Sequence, residues 1–220
     1  MRLSTGVFDS TEEDSTISDR VFYAVMGIAI IYGLLVTAGA AYYANISNIH
    51  FTQWQYLLVG VGLPLLGCFL TTRDNTLVTL IGYNLIVVPF GLVLGPFVHH
   101  YSPDVMTRAT EATAVITFTM TLLSFAYPAL FARLGGALFA TLIGLFVVRL
   151  LQMFIPALAA LTIIDWIAAG LFSLYIGYDM WRAQNVTRSV GSALNIAVQL
   201  YLDIINLFLT LTRLFANEEE

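Results

Sequence analysis

Lysine is absent from this 220-residue chain, cysteine occurs once, and charged residues of every kind make up only 10% of it. Each shortage excludes something. Without lysine there is no amine for a Schiff base, so a seven-helix retinal protein is ruled out. The lone Cys68 can form neither an intramolecular disulfide nor a cysteine-based metal site, and reads as a small apolar packing residue. Soluble domains carry about 25% charged residues. Here apolar residues reach 59% and mean hydropathy is +0.83, the composition of an integral membrane protein. The net charge of −5 gathers mainly in two acidic tails, Asp9 to Asp19 and Glu218 to Glu220, which disfavours nucleic acid as a partner. Nine arginines without a lysine point to a GC-rich or halophilic prokaryote.

Apolar stretches of about 20 residues, the length that crosses a bilayer, run approximately over 21–44, 52–72, 76–98, 109–131, 134–155, 158–181 and 192–214. The expected architecture is all-α: a cytoplasmic acidic tail at 1–19, one seven-helix membrane domain at 20–214, and an acidic tail at 215–220. The first span is too long for a signal-peptide core and follows acidic residues, so it reads as a retained helix. Arg2, Arg20, Arg73, Arg133, Arg182 and Arg188 fall on one side of this plan, and Arg108, Arg149 and Arg213 on the other. The positive-inside rule then puts the N-terminus in the cytoplasm and the C-terminus outside, in the plasma membrane of a prokaryote. Glycines and prolines in the second and third spans, such as Gly67, Gly82, Pro89 and Pro96, read either as close-packing positions or as kinks.

The seventh span carries its polar residues on a single stripe. Ser192, Asn195, Gln199, Asp203, Asn206, Thr210 and Arg213 follow one another at helical steps of three and four. A charge in mid-membrane is disfavoured by roughly 2.5–3.5 kcal/mol, so Asp203 must face protein or water. Asn195, Gln199 and Asn206 then line a polar path beside it. Asp179, near the end of the sixth span, and Arg73, after the second, lie toward the same side of the membrane, so that one cluster of Arg73, Asp179 and Asp203 is geometrically allowed. Two carboxylates in contact cannot both ionise cheaply. They share a proton and titrate as a pair, and losing that proton would push two helices apart. Near the other face, Arg149 and Asp165 lie at similar depth on adjacent helices, with Glu111 at the start of the fourth span, and read as a structural ion-pair layer.

Tyr175-Ile176-Gly177-Tyr178-Asp179, then Leu200-Tyr201-Leu202-Asp203-Ile204-Ile205-Asn206-Leu207-Phe208 and Arg213, resembles the C-terminal signature of the transmembrane Bax inhibitor motif family. Gly91 and Gly95-Pro96-Phe97-Val98-His99-His100-Tyr101 are similar to that family's third helix. The resemblance implies seven transmembrane helices with helix 7 central in the bundle. It further implies a pH-sensitive calcium leak channel of the prokaryotic type, with Asp179 and Asp203 as a di-aspartyl sensor and Arg73 as its charge partner. The chain departs from the family at Met180-Trp181, where Thr-Gln is frequent.

No tightly bound cofactor is expected. Ca²⁺, the permeant ion, prefers 6–8 oxygen ligands. Asp179 and Asp203 would offer it a loose site, which suits passage. The expected partners are the lipid bilayer, Ca²⁺ and protons. An enzyme is not expected: Tyr178-Asp179 fits half of an intramembrane aspartyl protease, but Leu202-Asp203 stands where that class resembles Gly-x-Gly-Asp. A proton-coupled transporter and a non-conducting regulator of other membrane proteins remain the competing readings.

Overall fold

Hydroxyl and amide side chains mark where the membrane helices begin. In the computed structural model, which describes residues 16–73, 75–98, 100–159 and 161–218, Ser18 caps α1 (Asp19–Ile46) by accepting from the Val21 amide. Thr52 and Gln55 form a reciprocal capping box at the start of α2 (Gln53–Thr71). The Asn75 side chain accepts from the amides of Leu77 and Val78 at the start of α3 (Thr76–Val98). Ser102 caps α4 (Pro103–Ala126), which has proline at its first position, where no amide hydrogen is needed. The remaining spans are α5 (Gly135–Gln152), α6 (Ile163–Asn185) and α7 (Val190–Asn217), the last capped by Ser189. All seven are long and apolar enough to cross a membrane. Most of the acidic N-terminal tail, together with His99, Glu219 and Glu220, lies outside the described residues.

The expected spans hold, with the fourth and sixth shifted along the chain at both ends: α4 stops at Ala126 instead of 131, and α6 starts at Ile163 instead of 158. The Ser102-Pro103 start signal brings α4 forward from 109 to 103, so Glu111 sits two turns inside the helix, on an exposed position. At the other shift α6 continues past 181 to Asn185, whose side-chain amide donates back to the Trp181 carbonyl at 2.7 Å.

Glycines set the spacing of α1, α2 and α3. A Cβ on Gly67 would lie 2.5 Å from the Gly82 carbonyl oxygen, and one on Gly91 would lie 2.5 Å from that of Thr37. These are close-packing positions, where one backbone rests on another. The helix α3 runs unbroken through Pro89 and Pro96. In α2, by contrast, Pro64 has no amide to give the Gly60 carbonyl, and the helix widens into a π-turn over Leu58–Gly62, closed by the Leu63 amide on the Leu58 carbonyl.

The bundle is organised around α7, which touches α1, α3, α4 and α6. It is also the most buried span. Tyr201 on α7 meets Thr37 of α1 at 2.5 Å between oxygens, Thr37 donates to the Val87 carbonyl of α3 at 3.1 Å, and the Tyr83 ring stands edge-on to Tyr201. A polar seam therefore locks α1, α3 and α7 behind the stripe.

Candidate functional site

Helix α6 delivers Asp179 and α7 delivers Asp203 to the same cavity. Both are buried, at 3% and 7% exposure, and both line its wall. The cavity has a volume of about 420 Å³ and includes Tyr175, Tyr178, Arg182, Gln199 and Asn206 in its wall. Two local features of α6 shape it. The Phe131 ring occupies the space where a Cβ on Gly177 would be, and the Tyr178 hydroxyl does the same at Gly135 of α5. Oδ2 of Asp203 is buried without a hydrogen-bond donor. Two carboxylates have no hydrogen to offer each other, so satisfying that oxygen from Asp179 requires a proton between the acids.

The charge partner of this pair is Arg182. Its Nη1 donates to Asp179 Oδ1 at 3.1 Å, and also to Gln199 Oε1. From there the polar stripe closes on itself: Gln199 Nε2 donates to Asn195 Oδ1 at 2.6 Å, and Asn195 Nδ2 to the Thr71 carbonyl at the end of α2, at 3.0 Å. Sequence reasoning assigned this place to Arg73. Arg73 instead follows the end of α2, is exposed, and stacks its guanidinium over Phe69 of its own helix at 4.6 Å. It lines a neighbouring cavity of about 480 Å³ with Ser192, Asn195 and Arg182. The signal for Arg182 was present, since a position three residues after Asp179 shares its helix face. It was missed because the sixth span was ended at 181.

Asn206 sits one turn beyond Asp203, donates to the Leu202 carbonyl at 2.8 Å and lines both this cavity and an adjoining one. Of the hydroxyls on α4, Thr113 and Thr119 return to their own backbone at 2.7 Å, while Ser124 accepts from Gln184 of α6. No group of three or more His, Cys, Asp or Glu side chains with metal-binding geometry occurs among the described residues.

At the opposite end, Asp165 Oδ1 is shared by Arg149 Nη2 at 2.6 Å and Arg213 Nε at 2.9 Å. The ion pair of Arg149 and Asp165 is in place, but its third member is Arg213 of the stripe. Glu111, expected there, is exposed on α4, and among the described residues the ion pairs of Asp165 are with Arg149 and Arg213. A third cavity, about 360 Å³ and mostly apolar, adjoins this cluster, and shares Leu142, Phe172, Leu202 and Asn206 with the cavity of the aspartates.

The family model described as Inhibitor of apoptosis-promoting Bax1 matches residues 20–220. No curated protein matches the chain. With a match over nearly its whole length, on seven membrane-spanning helices gathered around the last, this chain belongs to the Bax inhibitor family.

Proposed function

We propose that the protein is a pH-sensitive Ca²⁺ leak channel in which the Asp179 and Asp203 pair responds to protons. One observation carries this reading: two buried carboxyl groups from different helices meet in a cavity large enough for water, in a row of three cavities along α7. With a proton between them the pair ties α6 to α7. Without it two negative charges face each other in a poorly solvated site, and the helices are driven apart. Oxygens from Asp179, Asp203, Gln199 and Asn206 would hold a passing Ca²⁺ loosely, with water completing its shell. Arg182 is the charge that steadies the pair, and Arg73 adds positive charge at the outer wall of the neighbouring cavity. The membrane is read as the plasma membrane of a prokaryote. Arg20, Arg73, Arg133, Arg182 and Arg188 all lie at the end of the bundle where α1 begins, which supports reading that end as cytoplasmic and the end of α7 as external by the positive-inside rule.

The test is Ca²⁺ entry into liposomes holding purified protein, across a pH series, with and without a protonophore. The channel reading expects downhill entry that changes with pH and needs no proton gradient. Entry that collapses with the protonophore makes the protein a proton-coupled transporter, and no entry above empty liposomes leaves the non-conducting regulator.

A further inference from the structure

Arg182 is the one residue among those described that lines both the cavity of the aspartates and the neighbouring cavity that holds Arg73. We propose that its guanidinium is a cationic plug closing the passage between these two cavities, and that its displacement is what admits a divalent cation to the aspartates. The proposal rests on the channel reading of the same site.

The side chain is held in the junction from several directions. Asp179 of its own helix and Gln199 of α7 both accept from Nη1, and the Tyr178 ring lies 6.0 Å from the guanidinium carbon. Gln199 is itself fixed by Asn195, and Asn195 by the backbone at Thr71, so the plug is tied through one hydrogen-bonded chain to α6, α7 and the end of α2. Guanidinium keeps its charge at any physiological pH. A divalent cation entering from the Arg73 side meets that positive charge before it meets either carboxylate, and water finds the gap filled by the same group. Movement of α2, through Thr71 and Asn195, or separation of α6 from α7 would break the hold on Gln199, because Gln199 lies on a different helix from Arg182 and Asp179.

Two measurements test this. In the Cys68→Ala background, a thiol is introduced by Leu202→Cys in the wall of the aspartate cavity, and a membrane-impermeant cationic thiol reagent is applied from the Arg73 side. Arg182→Gln, which keeps a polar side chain and removes the charge, should speed labelling by a singly charged reagent about sixfold and raise Ca²⁺ flux about thirtyfold, the factors set by a unit charge about 4 Å from a monovalent and a divalent cation in water. Arg182→Lys should fall nearer the parent, and Gln199→Ala, which leaves the charge but removes one hold, between the two. Labelling and flux equal to the parent in Arg182→Gln overturn the plug. If that variant does not fold, unchanged labelling in Gln199→Ala overturns it instead. Faster labelling without Ca²⁺ flux in any of the proteins supports the plug and removes the channel.

Discussion

Arg182 and Asp179 stand three residues apart on α6 and pair at 3.1 Å, with the arginine side chain 38% exposed and the aspartate 4%. The asymmetry has a physical reason. The carboxylate is fixed inside the bundle by its position, while the long arginine stem carries its charge up from the helix end, so the pair joins a buried site to a wetter one. Among the described residues, no carboxylate holds Arg73 in this way. Replacing Arg73 with Ala should therefore alter Ca²⁺ flux less than replacing Arg182 with Ala, and a larger effect at Arg73 would return the partner role to it.

Asp203→Asn should flatten the pH dependence of Ca²⁺ entry. The amide fills the same space and cannot ionise, so the proton proposed to couple α6 to α7 is no longer titratable. Flux measured across a pH series decides it, and an unchanged profile counts against the sensor role.

At the other end of the bundle, Asp165→Ala leaves two guanidinium groups facing each other without their shared acceptor. Removing one partner of a fully buried pair is unfavourable by about 3–5 kcal/mol. Here the arginine side chains keep 28% and 30% exposure. About 2–3 kcal/mol is expected after that screening, seen as a lower melting temperature in detergent. Glu111→Ala should leave the melting temperature unchanged, because that side chain is exposed and outside the cluster.

The hydrogen bond between Tyr201 and Thr37 is directional. Thr37 gives its hydrogen to the Val87 carbonyl, so Tyr201 donates to Thr37. Tyr201→Phe removes a donor and leaves Thr37 bonded to Val87, for a loss of about 1 kcal/mol. Thr37→Val strands the buried Tyr201 hydroxyl, while the Val87 carbonyl keeps its place in the α3 ladder, and should destabilise more, by about 1–3 kcal/mol. Unfolding of the two variants in mixed micelles would reveal the order, and the reverse order would mean that the proton sits the other way round.

Gly91→Ala puts a methyl group against the Thr37 carbonyl and should lower stability by about 1–3 kcal/mol through forced separation of α1 and α3. Gly39→Ala, in a position with nothing within 4 Å, should be neutral or stabilising by up to about 1 kcal/mol. Equal melting temperatures for the two variants would contradict the close packing of these helices.

The sequence by itself determined that the chain lives in a membrane, crosses it seven times, and must turn one face of α7 away from lipid. Composition decides the first, since no other solvent accepts so much apolar surface, and the period of 3.6 residues decides the last, because it acts within a single helix. It also allowed Asp179 and Asp203 to share one site, and Arg149 to find Asp165. Which arginine answers which carboxylate was decided only by the tertiary structure. Arg73 and Arg182 both lie toward one end, as Glu111 and Arg213 both lie toward the other. Choosing between them depends on how far α6 extends, where α4 begins and how each helix is rotated against α7. Those quantities are set by packing between helices, such as Gly67 on Gly82 and Phe131 on Gly177, which local sequence does not encode.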